Sequence, residues 1–270
     1  DDGSEVRVRV KLPERFVTAK VWQARIGHVS LYLLDTDLAE NSQRDRLITH
    51  QLYGGDKAMR IEQEIILGIG GVEALKVMGI KPTVWHSNEG HAAFMMLARA
   101  RELVRQGLDS ASAMEAVAVS TVFTTHTAVP AGHDHFPDAM MQQYFESLYN
   151  ELKISREQFM ALGHTPDNHD FNMTALAIRL SRRHNGVSKI HGRVSAHICR
   201  DLWPQIEPEE NPIDYVTNGV HVPTFLAQEW SDLFDRHLGP EWRYKQCDPK
   251  FWSRISQIPD HLFWSVRQTL

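Results

Sequence analysis

The stretch Thr121-Val-Phe-Thr-Thr-His-Thr-Ala-Val-Pro-Ala-Gly-His-Asp-His-Phe136 places three histidines, an aspartate and several hydroxyls directly after an apolar, β-branched run. Three other segments have a similar character: Trp85-His-Ser-Asn-Glu-Gly-His91, Asn185-Gly-Val-Ser-Lys-Ile-His191 and Thr217-Asn-Gly-Val-His-Val-Pro223. Side chains of these types can ligate a metal, work as acid and base, or hydrogen-bond a polar substrate. His126 is the first group with such chemistry beyond the run that ends at Phe123.

A metal site could draw on His86, His91, His126, His133, Asp134 and His135. The spacing is against it: His86 and His91 are five apart, whereas ligands on one helix face sit three or four apart. There is also no His-Glu-x-x-His and no pair of closely spaced cysteines. A hydrolytic serine, Ser87 or Ser188, lacks the Gly-x-Ser-x-Gly elbow. Gly68-Ile-Gly-Gly71 fits neither the dinucleotide nor the nucleotide phosphate loop. Carbohydrate is the third reading. Asn88, His126, Thr127, Asn185 and Asn218 supply the dense neutral hydrogen bonding that a sugar needs, and Glu89 can orient a histidine or hydroxyl.

The elements that must position these groups follow from periodicity. Strands are expected at Val6–Leu12, Phe16–Ile26, Val29–Leu34, Pro82–Trp85, Val119–Phe123, Val187–His191 and Asp214–Val216. A long helix is expected over Lys57–Met78, with Ile61, Ile65, Ile66, Ile69, Val72, Leu75 and Met78 at helical spacing. Gly68, Gly70 and Gly71 are costly inside it unless another backbone packs closely. Further helices are expected at Gly90–Gln106, Ser110–Val117, Phe136–Leu152, Ser155–Leu162, Asn172–Arg183, Gly192–Arg200 and Pro223–Leu238. Alternating strands and helices imply an α/β fold with a mainly parallel sheet, whose loops converge at the carboxyl edge.

The bulk numbers exclude several classes. A net charge of −5 argues against a nucleic-acid partner. No apolar run reaches the length of a membrane span, and no signal peptide is visible. Cys199 and Cys247 are expected to be free thiols in a reducing, cytoplasmic setting. The first residues, Asp1-Asp-Gly-Ser4, and the helix-like Ser265-Val-Arg-Gln-Thr-Leu270 both suggest cuts through a longer protein.

A specific resemblance rests on five segments in order: Tyr53-Gly-Gly-Asp56 through Glu64; Asn88-Glu-Gly-His91 with its trailing Ala-Ala-Phe; Thr125-His-Thr127 before Pro130; Asn172-Met-Thr with Asn185-Gly-Val-Ser-Lys-Ile-His191; and Thr217-Asn-Gly219. Together they resemble the α-glucan (glycogen, starch and maltodextrin) phosphorylases, in the shorter prokaryotic branch. The resemblance runs from about Val21 to the end.

It implies a GT-B glycosyltransferase made of two Rossmann-like domains. This chain would hold an internal fragment: residues 1–218 as the later part of the first domain and 219–270 as the start of the second. The implied reaction is phosphorolysis of the terminal glucose of an α-1,4-glucan to glucose 1-phosphate with retention. The implied partners are α-glucan and inorganic phosphate, and the full-length enzyme could be a homodimer. The cofactor is pyridoxal phosphate, but the family's cofactor lysine has no match in this chain, nor has its glycine-rich phosphate loop. His126 and Asn218 match residues at the 6-hydroxyl of the reacting glucose. Asn88, Glu89, His91, Thr127 and Val187 match its surroundings, with Glu89 in place of a family aspartate. The gating loop of longer relatives is contracted to Gly54-Gly-Asp56, so animal-type allosteric control is not expected. A non-catalytic carbohydrate-binding or assembly module, or a metal-dependent hydrolase, are the rival readings.

Overall fold

The computed structural model describes residues 4–52, 54–129, 132–166 and 168–270. Tyr53 and Pro130, both part of the resemblance, and the opening Asp1-Asp-Gly3 lie outside the described residues. The chain forms two compact units, Asp1–Thr217 and Asn218–Leu270.

The first unit begins with an antiparallel meander of β1 (Arg7–Leu12), β2 (Arg15–Ile26) and β3 (Val29–Asp35). This meander is separate from the mainly parallel sheet expected, which follows it. A two-residue connection at Gly27-His28, with Gly27 at φ +61°, lets β2 turn straight back into β3, as only antiparallel partners can. Val8, Val10 and Leu12 alternate inward along β1 while the arginines and Lys11 face out.

The expected long helix is present as α1 (Lys57–Ile65), a π-helical segment over Ile66–Gly70, and α2 (Gly71–Val77). Asp56 caps its start by accepting the Met59 N–H at 2.8 Å. The close backbone that the glycines imply is there for one of them. A Cβ on Gly68 would sit 2.8 Å from the backbone nitrogen of Met95, whereas one on Gly71 would meet no heavy atom within 4 Å.

Next comes the parallel sheet, in the order β4 (Trp85–Asn88), β5 (Thr121–Thr124), β8 (Arg183–Gly186), β9 (Ile213–Tyr215). Its crossovers carry α3 (Phe94–Arg105), α4 (Ser110–Val119), α5 (Asp138–Glu151), α6 (Arg156–Ala161), α7 (Met173–Arg179) and α8 (Lys189–Ile198). A short antiparallel pair, β6 (His135–Phe136) with β7 (Phe171–Asn172), ties the loop after β5 to the start of α7.

Two strands fall elsewhere than the sequence suggests. The first begins at Trp85 rather than Pro82, because proline has no N–H for the ladder and Val84 is exposed. Val187–His191 is not a strand: the ladder ends at Gly186, and Ser188 caps α8 by accepting the His191 N–H at 3.1 Å. The apolar look of Val187 and Ile190 is therefore a helix entry. Likewise Asn172 caps α7 from outside, through the N–H groups of Thr174 and Ala175.

An aromatic run threads the largely aliphatic core of the first unit. Phe136, Phe94, Phe145, Phe159 and Phe171 form a run with successive ring centroids 6.5, 4.5, 5.6 and 5.5 Å apart, all at most 1% exposed. Each such pair contributes about 0.5–1.5 kcal/mol beyond its area burial. The second unit has its own apolar cluster of Leu233, Leu238, Trp242, Phe251 and Ile258, with α9 (Val222–Phe225), α10 (Gln228–Leu238), α11 (Pro249–Trp252) and α12 (Asp260–Thr269) around it.

The glycine geometry separates two neighbouring substitutions. Gly68→Ala should destabilise by about 1–3 kcal/mol through backbone overpacking. Gly71→Ala should stabilise by about 0.5–1 kcal/mol through helix propensity. Urea unfolding midpoints of the two variants check this; equal shifts would contradict it.

Candidate functional site

Parallel register puts Asn88 beside Thr124, Thr124 beside Asn185, and Asn185 beside Asp214. The apolar strand interior therefore ends in one polar row across the sheet. The row is internally bonded. Thr124 Oγ1 donates to Asn185 Oδ1 at 2.9 Å and accepts from His86 Nε2 at 2.7 Å. The Thr125 N–H donates to the Asn185 carbonyl at 3.0 Å.

Just past the row the chain makes a strained turn. Glu89 sits at φ +66°, ψ 172°, a region that only glycine occupies readily and that costs about 1–3 kcal/mol. Its N–H donates to the Thr124 carbonyl at 2.9 Å. Its carboxylate crosses to the next strand end and accepts from the His126 backbone N–H and from Thr127 Oγ1 at 3.1 Å. Gly90 follows because a Cβ there would meet Cβ and backbone atoms of Met173 and Thr174 within 3.2 Å. His126 is oriented at its other end too, since its Nε2–H donates to Asn88 Oδ1 at 2.7 Å.

These groups surround a cavity of about 330 Å³. Of the sequence-predicted residues it gathers Asn88, Glu89, His91, His126 and Thr127. Val187 does not line it; Val187 is half-buried, and its N–H is held by His191 Nδ1 at 3.1 Å. His191 in turn donates from Nε2 to the Thr127 carbonyl at 3.1 Å, so this segment braces the loop from behind. Asn218 is the first residue of the second unit and is exposed.

Sequence reasoning passed over several of the cavity's residues. His133 and Asp134, considered in the sequence as metal ligands, line it with Arg60 and Thr174. His133 Nδ1 lies 2.6 Å from Thr174 Oγ1. Arg60 grips Asp134 through Nη2 at 2.7 Å and Nε at 3.3 Å, with the buried Glu64 carboxyl 3.1 Å from the same Nε. The signal available was an Arg-x-x-x-Glu pair, one step off the apolar stripe of Ile61 and Ile65, on a helix with an otherwise buried face.

The charges settle unevenly. Burial, reinforced by the neighbouring Asp134 charge, pushes Glu64 up to about 9, and neither of its oxygens accepts a hydrogen bond. Glu64 is therefore a neutral acid facing the Asp134 carboxylate. Burial pushes Asp134 upward too, but the Arg60 hydrogen bonds outweigh it and hold Asp134 below the ordinary carboxylate range. Burial, aided by the Arg60 charge, keeps His91 below the usual histidine range, and burial does the same for His133. His91 and His133 thus present neutral imidazoles beside amides and hydroxyls, and Arg60 is already paired to a carboxylate. A larger cavity of about 570 Å³ shares Arg60 and His91 with it, but aliphatic side chains such as Leu34, Leu67 and Leu75 dominate its lining.

Among the described residues no three His, Cys, Asp or Glu side chains come together as metal ligands. No described helix is long and apolar enough to cross a membrane. Both cysteines are unpaired, and burial pushes the Cys199 thiol up to about 12, which leaves it unreactive.

Comparison with known proteins places these residues in context. The chain is 43% identical over 97% of its length to a glycogen phosphorylase of Mycobacterium tuberculosis, and spans 32% of that protein. It is 40% identical over 98% of its length to a maltodextrin phosphorylase of Thermococcus litoralis, again spanning 32%. A glycogen phosphorylase of Aquifex aeolicus is 34% identical over 97% of the chain, which spans 38% of it. The chain thus covers about a third of the length of the curated relatives it matches. No family model matches it.

Glu64 gives a signed pH effect. Its folded pKa lies above its unfolded one, so the folded state holds an extra proton between about pH 4.5 and 9, and stability falls as pH rises through that window. Glu64→Gln keeps a neutral donor and removes the titration. The variant should lose less stability than the parent between pH 5.5 and 8.5 in urea unfolding; parallel pH profiles would contradict the neutral-acid assignment.

Proposed function

We propose that this chain, homologous to the glycogen and maltodextrin phosphorylases over nearly its whole length, forms the glucan-facing side of an α-1,4-glucan phosphorylase centre. In this reading residues 1–218 are the later part of the first GT-B domain and 219–270 begin the second. The reaction is attack of inorganic phosphate on the terminal glucose of a glucan, giving glucose 1-phosphate with retained configuration in a cytoplasmic enzyme.

The observation that carries the reading is the coupling of Asn88, Glu89, His126 and Thr127 around one cavity at the sheet's carboxyl edge. A neutral sugar is matched by neutral hydrogen-bonding groups of fixed orientation. His126 is held at both its backbone and its ring, so its side chain can meet the 6-hydroxyl in one geometry. Its carbonyl accepts no hydrogen bond from the described residues and is available to the positive charge that develops at the anomeric carbon. Glu89 acts as a positioning residue behind it. His91, kept neutral, hydrogen-bonds the sugar without adding a repelling cation. The family resemblance assigns Asn218 to the same hydroxyl, while Val187, outside this cavity, supports the loop through His191.

Pyridoxal phosphate, which the family employs through its phosphate as proton donor and acceptor, needs a lysine amine for its attachment. No lysine lines this cavity, so its residues do not fit that group, and no step here passes through it.

Two measurements test the reading. The chain supplied with maltodextrin, phosphate and pyridoxal phosphate should bind glucan weakly and release no glucose 1-phosphate; clear release would contradict a partial site. In a complete phosphorylase carrying this sequence, His126→Ala or Asn218→Ala should lower turnover more than about tenfold, as loss of a transition-state contact does. Wild-type rates would remove those assignments, and glucan binding by the complete protein without turnover would favour a non-catalytic binding module.

A further inference from the structure

A second polar cavity, of about 510 Å³, lies among α5, α6 and α7 and the segment after α6, and shares no lining residue with the sugar-facing one. Arg179, the last residue of α7, and Arg156, the first of α6, both line it, with Asp138, Glu157, His164 and Thr165. The arginines are unusual in what they lack. Arg179 Nη1 and Arg156 Nε are both shut off from solvent, and neither has a hydrogen-bond acceptor. A guanidinium N–H removed from water without a partner is expensive, and buried polar groups are as a rule satisfied.

The carboxylates nearby do not resolve this. Asp138 already accepts from His164 Nε2 at 2.9 Å and, loosely, from Arg156 Nη2 at 3.4 Å. Glu157 is exposed and turned to the Ser155 cap. Among the described residues the Arg179 side chain makes no ion pair, and burial keeps its guanidinium below the usual arginine range. The cavity thus holds two arginines and two carboxylates, Asp138 engaged by His164 and Arg156 and Glu157 turned to Ser155, which leaves the two guanidinium N–H groups without an acceptor among the described residues. Forked guanidinium donors with open N–H groups match the oxygens of a tetrahedral oxyanion. The volume exceeds what a bare phosphate fills, leaving room for a small organic group on it.

We propose that this cavity is a binding site for a phosphoryl oxyanion, held by Arg179 and Arg156 and separate from the sugar-facing cavity. It does not depend on the assignment of a reaction to the chain.

Titration calorimetry at constant ionic strength tests this with inorganic phosphate in one arm and glycerol 3-phosphate in the other. Saturable binding is expected in at least one arm. Arg179→Gln should weaken it by about tenfold or more, the usual consequence of losing a charged hydrogen bond, while His126→Ala leaves it unchanged. Tighter binding of the ester identifies a phosphorylated metabolite as ligand; equal affinities identify free phosphate. If Arg179→Gln melts early, Arg179→Lys keeps the charge but loses the fork. Weakened binding at a parental melting temperature then supports the site, and undiminished binding overturns it. No saturable binding in either arm, or binding lost in His126→Ala and kept in Arg179→Gln, also overturns it.

Discussion

The sugar-facing end of this molecule hangs on the carboxylate of Glu89. β4 and β5 are neighbours in a parallel sheet, and nothing in a ladder dictates what their loops do once the last rung at Asn88 and Thr124 is passed. Glu89 supplies that constraint from both ends of one residue. Its backbone N–H continues the ladder by one more bond to Thr124, while its side chain reaches over to the His126 N–H and the Thr127 hydroxyl. The left-handed backbone follows from doing both at once. The strain of about 1–3 kcal/mol is offset by hydrogen bonds to a charged acceptor, each contributing about 1.5–3 kcal/mol. A glycine would adopt the backbone freely but would release the histidine loop.

Two buried glutamates on α1 show how burial alone does not fix a charge's role. Glu62 and Glu64 are both 1% exposed and two residues apart. Glu62 collects Arg15 at 2.8 Å, Arg44 at 2.7 Å and the Tyr144 hydroxyl at 2.7 Å, and so binds the meander, the segment after it and α5 into one unit. Glu64 has only Arg60 Nε nearby, at 3.1 Å, and accepts no hydrogen bond from it because Arg60 turns its N–H groups to Asp134. A helix turns about 100° per residue, so two positions apart means opposite sides. One acid meets cations, and the other meets a carboxylate that already has one. The result is a firmly paired anion in the scaffold and a neutral acid beneath the cavity.

Much of the arrangement was legible in the sequence, and the reason is local. Asn88, Glu89, His126 and Thr127 stand immediately after short apolar runs, and in a parallel sheet such positions share an edge. The three-strand meander was legible as strands but not as antiparallel partners, because pairing depends on the tight Gly27-His28 turn rather than on periodicity. Ser188 was hidden by its apolar neighbours: a cap is a relation between a side chain and an N–H three residues on, which composition does not display. Arg60, Glu64 and Asp134 were least legible. Each resembles an ordinary surface charge until a helix and a loop distant in sequence meet, with Arg60 and Asp134 seventy-four residues apart along the chain.

The cavities at His126 and at Arg179 differ in how their polar groups are satisfied, and that difference sorts their ligands. Around His126 every strong charge has an internal partner: Arg60 has Asp134, Glu89 has an N–H and a hydroxyl, and the imidazoles His91 and His133 are held neutral by burial. A charged ligand entering there would have to break a bonded pair, whereas a polyhydroxylated one needs only the remaining donors and acceptors. Around Arg179 the hydrogen bonding is incomplete: Asp138 and Glu157 are engaged elsewhere, and Arg156 Nε and Arg179 Nη1 find no acceptor among the described residues. A neutral ligand would leave that deficit in place; an oxyanion removes it. The Arg179 cavity is lined from α5, α6, α7 and the segment after α6 rather than from the sheet edge, and it shares no lining residue with the cavity at His126.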